Sequence, residues 1–264
     1  MSHRKMLLGL VSLFSVCVFA SQSLRASPPI GAVVQSWHYD AAKSAIILRI
    51  VNATDKDITG WSIKIKETYD NGQINEHEYS TDLLQLMLNV QEHAGTADGE
   101  RLRQQFGNGT LQAGTSRDEA IPVVHAVKNC EAAITVVLYA DKTAEATDQD
   151  ALNRAISARK AAASTMQSTT EIIKRALANT QDASPHETAA KEIEALRVKW
   201  EAQHHATPFD AGVLQAVLTD LKNVPSISAK QNINAAAYLS DYVAKKGQRA
   251  TVLLEHATPK VGVQ

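Results

Sequence analysis

The chain of 264 residues contains 44% hydrophobic and 21% charged residues and has a formal net charge of −1 at pH 7. This apolar content is enough for a packed core and excludes an intrinsically disordered chain. The near-neutral charge argues against a nucleic-acid or anionic-membrane partner that is recognised mainly by charge.

The first 20 residues have the organisation of a cleavable signal peptide. Arg4 and Lys5 precede an apolar run from Met6 to Ala20. A helix of that length rises about 22 Å, which is too short for a hydrocarbon core of about 30 Å. Small residues allow a cut after Ala20, and a second candidate cut follows Ala26. We therefore predict an exported protein, periplasmic or secreted, with no membrane span in the mature chain.

Residues 27–142 alternate apolar and polar side chains with the period of two that β-strands have. Trp61, Ile63 and Ile65 share one face, and the Asp70-Asn71-Gly72 sequence that follows predicts a hairpin with a type I′ turn. Further strands are expected at 46–50, 120–127 and 132–140. The segment 83–90 fits a strand or a short helix, and 92–109 is typical of a long polar loop. Such short strands favour an antiparallel, immunoglobulin-like β-sandwich.

Residues 147–257 change to a helical period. Apolar residues recur there at spacings of three and four, with Arg159 as the one break. The members of this stripe are Leu152, Ile156, Ala163, Met166, Ile173 and Leu177. Further helix starts are predicted near Ser184, Thr207 and Ser228, and an end near Gly247. The sequence thus predicts an α+β protein: a sandwich domain, then three to four helices over 147–257, and a flexible tail over 258–264.

Cys130 is the only cysteine left once the leader, which contains Cys17, is removed. No intramolecular disulfide is then possible, so the fold must depend on hydrophobic burial. We favour a free buried thiol, and pairing between two chains is the alternative.

The sequence shows no catalytic, metal or cofactor motif above chance, so we assign no residue to these roles. Glu201 and His204 have the Glu-x-x-His spacing of helical di-iron sites, but no second copy of the motif is present. Together with His205 they are more simply a solvated helix end. Asn52-Ala53-Thr54 and Asn108-Gly109-Thr110 match the N-glycosylation pattern, which we interpret as chance matches.

Two stretches carry a family resemblance. The run from Ile50 to Trp61, with Tyr69-Asp70-Asn71-Gly72 closing the strand, resembles exported bacterial immunoglobulin-like modules of the FxLYD kind. The run from Leu138 to Glu145 is similar to a strand ending in secreted proteins of soil bacteria, where a helix follows and glycine replaces Lys142. The resemblance covers about half of the mature chain. It implies the sandwich and a bacterial envelope setting, and no activity or catalytic residue.

Two classes of function follow. We favour a non-enzymatic protein-binding or envelope-associated module that uses no cofactor. The alternative is a small-molecule binding protein or an enzyme, with Glu201, His204, His205 and His125 gathered in a pocket between sandwich and helices. Homo-oligomerisation through the stripe from Leu152 to Leu177 is a further possibility.

Overall fold

The structure, a computed structural model, describes residues 31–179, 181, 183–203 and 208–261. The predicted signal peptide, with its candidate cuts at residues 20 and 26, lies outside the described residues. None of the described helices has the length and apolarity needed to cross a membrane.

The described residues form two β-sheets and six helices. The strands are β1 (Ala32–Asp40), β2 (Ala45–Asn52), β3 (Ile58–Tyr69), β4 (Ile74–Asp82), β5 (Ser116–Pro122), β6 (Val127–Tyr139), β7 (Thr143–Ala146) and β8 (Lys260–Val261). The helices are α1 (Leu84–Glu92), α2 (Ala97–Phe106), α3 (Gln149–Ala178), α4 (Pro185–Ala202), α5 (Pro208–Gln231) and α6 (Ala235–His256). The strand orders are β1-β2-β5 and β4-β3-β6-β7-β8. Neighbouring strands are antiparallel, except that β8 pairs with β7 in parallel.

The two sheets share one hydrophobic core. Alternate side chains of β2 and β3 are at most 1% exposed and belong to a single cluster: Ile46, Leu48, Ile50, Trp61, Ile63 and Ile65. Because successive strand residues point to opposite faces, this alternation places one face of each sheet against the other. The predicted α+β class, with antiparallel sheets first and helices after them, is confirmed.

The β3–β4 hairpin forms where it was predicted, but the prediction of its turn type was wrong. A type I′ turn needs positive φ at both central residues. Gly72 has φ of 81°, whereas Asn71 does not have positive φ. The amide of Tyr69 donates to the carbonyl of Gln73 at 2.9 Å, which closes a longer loop with glycine in its left-handed position.

Two helices lie between β4 and β5. The first, α1, resolves the ambiguity of segment 83–90 in favour of a helix. The second, α2, corrects the prediction of a loop over 92–109. The Thr96 hydroxyl accepts a hydrogen bond from the Gly99 amide at 3.0 Å, and Asp98 and Glu100 lie in the first turn. Capping and favourable first-turn charges therefore stabilise a helix that lacks an apolar stripe.

The predicted helix start at Ser184 is confirmed as the N-cap of α4, and α5 begins at Pro208, next to the start predicted near Thr207. The predicted start at Ser228 and the predicted end at Gly247 were wrong. Ser228 lies inside α5, where its hydroxyl donates to the Val224 carbonyl at 2.8 Å. The cap of α6 is Asn234, whose side chain accepts from the Ala237 amide at 2.8 Å. Gly247 is an interior residue of α6. Within the predicted tail, residues 260 and 261 form β8, while 262–264 lie outside the described residues.

The apolar stripe of α3 is covered by the same chain. Leu152 packs with Val136 and Leu138 of β6, and Met166 packs with α1 and α6. Ile173 lies in a third cluster with α4, α5 and α6. The stripe therefore does not offer a free face to a second copy of the chain, and the oligomeric state stays a prediction.

Candidate functional site

Of the predicted site residues, the structure describes Glu201 and His125, and it places them in different parts of the fold. Glu201 is exposed near the end of α4 and pairs with Arg197 at 2.5 Å between Oε1 and Nη1. His125 is exposed in the connection between β5 and β6, with its ring centroid 5.4 Å from that of Tyr69. His204 and His205 lie outside the described residues. Among the residues that are described, no group of three or more His, Cys, Asp or Glu side chains could hold a metal ion.

Three strand connections meet at one end of the two sheets. We define the hairpin end as residues 40–45, 69–74 and 122–127, which join β1 to β2, β3 to β4 and β5 to β6. The amide of Val123 donates to the carbonyl of Ser44 at 2.9 Å. The amide of Asp70 donates to the carbonyl of Ala126 at 3.4 Å. The three connections therefore form one continuous surface, on loops that a rigid scaffold positions.

This surface carries exposed apolar side chains. Val124 is 87% exposed and Ile74 is 60% exposed, the two highest values for large hydrophobic residues in the described part of the chain. The two residues lie on connections that are joined by the hydrogen bond between Asp70 and Ala126. Contiguous exposed apolar surface is typical of sites that contact other proteins.

A buried polar cluster around Glu67, which we call the Glu67 cluster, lies next to the hairpin end. Glu67 is 1% exposed and lies on the core face of β3. Its Oε2 accepts hydrogen bonds from Tyr69 Oη at 2.5 Å and from Asn75 Nδ2 at 3.3 Å. Its Oε1 lies 3.7 Å from Nε2 of His77. The hydrogen bond to Glu67, followed by burial, raises the pKa of Tyr69, so the phenol stays protonated and keeps donating.

Cys130 lies opposite Glu67 in the pairing of β6 with β3. It is free and 2% exposed. Burial, and then the charge of Glu67, raises the pKa of this thiol to about 12. Since the thiolate is the nucleophile, Cys130 is inert at neutral pH and acts as a core residue.

Asn52, in the first N-x-T match, is a structural residue. It is fully buried, and its Nδ2 donates to the carbonyls of Lys56 at 2.8 Å and Leu111 at 3.0 Å. Its Oδ1 accepts from the amide of Thr54 at 3.0 Å. Both polar atoms of the side chain therefore form hydrogen bonds, and the buried amide is not accessible to a modifying enzyme in the folded protein.

The same local geometry recurs at two other turns. The Asn108 Oδ1 accepts from the amide of Thr110 at 3.0 Å. The Asp141 Oδ1 accepts from the amide of Thr143 at 2.9 Å. In both turns the threonine hydroxyl donates to the same oxygen. Both N-x-T matches are thus Asx turns, in which the threonine amide and hydroxyl donate to the asparagine Oδ1.

A groove of about 290 Å³ lies between α1 and α6. Its lining residues are Leu88, Gln91, Glu92, Lys245, Gln248, Arg249 and Val252. The guanidinium of Arg249 is held by Gln85, Asn89 and Glu92. Lys245 pairs with Asp241 at 2.9 Å. The cations of the groove are thus already paired, and neither Glu201 nor His125 lines it.

Arg159 is the centre of a buried cluster that joins sheet and helices. Its side chain is 2% exposed, with Nε 2.8 Å from Asp82 Oδ2 and Nη2 2.9 Å from Oδ1. Nη2 also donates to the carbonyl and hydroxyl of Thr59, at 3.3 and 3.2 Å, and Nη1 donates to the carbonyl of His256 at 3.3 Å. We call these four residues the sheet–helix junction. The break in the apolar stripe of α3 was the sequence signal for it.

Comparisons with known proteins add no assignment. No family model matches the chain, and no curated protein matches it. Among solved structures, a hypothetical protein from Peptoclostridium difficile 630, determined by X-ray crystallography at 1.85 Å, aligns over 46% of this chain and 89% of its own. The identity is 11% and the TM-score is 0.28. A likeness this weak bears on neither fold nor function.

Proposed function

We propose that this chain is an exported, non-enzymatic binding module whose hairpin end contacts another protein of the envelope or the medium. The observation that carries the proposal is the exposure of Val124 and Ile74 on adjoining connections of the two sheets. The Glu67 cluster supports it, because a fixed loop loses little conformational entropy on binding. The apolar leader at residues 6–20 supports export.

We further propose that the two sheets form an immunoglobulin-like sandwich. The strand orders support this assignment, because β1, β2 and β5 lie in one sheet while β3, β6 and β7 lie in the other. Chain connections that alternate between two facing sheets in this way are the Greek-key pattern of such sandwiches. Loops at the ends of these sandwiches are frequent binding sites, which agrees with the proposed role of the hairpin end.

Site-specific crosslinking tests the binding proposal. A photoreactive amino acid is placed at Val124, and for comparison at Val198, which is 53% exposed on α4. We expect the Val124 position to capture one defined protein in the exporting cell, and the Val198 position not to capture it. Equal capture at both positions would contradict the proposal.

Affinity measurements with the captured partner give the second test. We expect Val124→Asp and Ile74→Asp each to weaken binding at least about fivefold, since an interface contact that matters contributes more than about 1 kcal/mol. Val198→Asp is the matched control and should leave the affinity unchanged. Wild-type affinity in both hairpin-end variants would refute this surface.

Sequencing the N-terminus of the native protein tests export separately. We expect it to begin after residue 20 or after residue 26. A start at Met1 or Ser2 would rule out cleavage of the leader, whatever the crosslinking shows.

A further inference from the structure

His256 is buried at the sheet–helix junction with unused hydrogen-bonding capacity. The residue is 4% exposed at the end of α6, and its Nδ1 is buried without a hydrogen-bond partner. The backbone carbonyl of His256 accepts a hydrogen bond from Arg159. The same residue therefore carries the buried imidazole and links α6 to the guanidinium. A neutral imidazole tolerates this position, whereas an imidazolium would have to be paired or hydrated.

Four charged groups on the surrounding elements act electrostatically on the imidazole. Arg159 of α3 and Lys142 of the β6–β7 turn disfavour a second positive charge, while Asp82 and Glu255 favour it. Both acids are already engaged. Asp82 forms two hydrogen bonds with Arg159, and Glu255 lies 2.6 Å from Lys142 Nζ. A proton on His256 would therefore add an unmatched cation to a cluster whose charges are balanced.

We propose that the sheet–helix junction is an acid-sensitive latch, in which proton uptake by His256 beside Arg159 releases the end of α6 and β8 from the sheets. The released segment is weakly held. β8 consists of two residues, and the amide of Lys260 donates to the carbonyl of Lys142 at 3.0 Å. Elements that are held by so few backbone hydrogen bonds open at low free-energy cost.

The direction of the pH effect follows from the burial. Burial, and then the charge of Arg159, lowers the pKa of His256 below its usual value of 6.5. The neutral imidazole therefore contributes stability in full above pH 6.5, and that contribution is lost as the pH falls toward the lowered pKa. Between about pH 7 and about pH 5 one such histidine can increase the unfolding equilibrium constant by up to about 25-fold.

Hydrogen exchange and denaturant unfolding at about pH 7 and about pH 5 test the latch. In the wild type we expect the last turn of α6 and the amide of Lys260 to lose protection at the lower pH, after correction for intrinsic exchange. We expect His256→Gln, which carries no titrating ring, to abolish most of this loss. His38→Gln removes an exposed histidine on β1 and should leave the wild-type profile unchanged.

The outcome that overturns the proposal is an unchanged pH profile in His256→Gln. If that variant does not fold, an NMR titration of the His256 ring in the wild type decides. We expect the ring to stay neutral below about pH 6.5 and to titrate together with the loss of protection. Titration near the ordinary value, or loss of protection without titration, would refute the latch.

Discussion

Removing the charge of Asp82 is the sharpest test of how sheet and helices are joined. Asp82→Asn keeps the shape of the side chain but leaves the Arg159 guanidinium, which is 2% exposed, without a counter-charge. Breaking a buried ion pair in this way costs about 3–5 kcal/mol. Asp82 is itself 27% exposed, and three neutral oxygens still accept from Arg159. We therefore expect the lower end of that range, about 3 kcal/mol.

The exposed ion pair between Arg49 and Asp118 provides the matched control. Its side chains are 48% and 56% exposed. Solvent screens such a pair, so Asp118→Asn should cost no more than about 1 kcal/mol. The double variant Arg159→Met with Asp82→Asn removes both buried charges, and we expect it to be more stable than Asp82→Asn alone.

Urea unfolding followed by circular dichroism measures these differences, and a thermal scan should show a midpoint about 6–12 °C lower for Asp82→Asn. A loss for Asp82→Asn no larger than for Asp118→Asn would refute the reasoning. So would a double variant less stable than Asp82→Asn, because the cost would then not come from an uncompensated guanidinium.

Three further predictions concern single residues, each measured by denaturant unfolding. Burial raises the pKa of Glu119, and this effect outweighs the ion pair with Arg117, which lowers it. The contribution of Glu119 to stability is therefore lost as the pH rises above 4.5, the ordinary pKa of a glutamate. Glu119→Gln should thus be more stable than the wild type at pH 7, with the gain vanishing below about pH 4; a gain independent of pH would contradict this. Lys142 has φ of 65°, so Lys142→Gly should be more stable than Lys142→Ala, which loses the same ion pair with Glu255, by up to about 1 kcal/mol. Equal stability of the two variants would contradict the strain. Asn52→Ala removes the two hydrogen bonds that Nδ2 donates to the carbonyls of Lys56 and Leu111, each of which keeps another donor. It should cost about 1–3 kcal/mol, more than Asn108→Ala at an exposed turn.

The strands were predictable because their signal is local. Alternation along β3 is complete within a few residues, and it predicted both the buried face and the hairpin. The same alternation contained one more signal, because it places Glu67 on the same face of the strand as Trp61, Ile63 and Ile65. A carboxylate at a core position predicts a polar cluster, even though the sequence does not show which residues complete it.

The features that the sequence did not predict are a contact between residues distant in sequence and helix starts that depend on capping. Asp82 and Arg159 are 77 positions apart, so no local pattern relates them. The helix α2 has no apolar stripe to reveal it, and the signals that remain are the Thr96 cap and the acidic first turn. The interior position of Ser228 shows the converse, since a serine pattern that can start a helix can also lie within one.

The two proposals concern opposite ends of one strand. β3 begins at the junction, where Thr59 binds Arg159, and ends at Tyr69 of the hairpin end. Ten residue steps along a strand span about 33 Å, so a partner at the hairpin end would not touch the helices that cover the junction. We therefore expect His256→Gln to leave partner affinity unchanged at pH 7, and Val124→Asp to leave the pH profile unchanged. If His256→Gln changes partner affinity, or Val124→Asp changes the pH profile, the two ends are coupled through β3, because that strand directly connects the sheet–helix junction with the hairpin end.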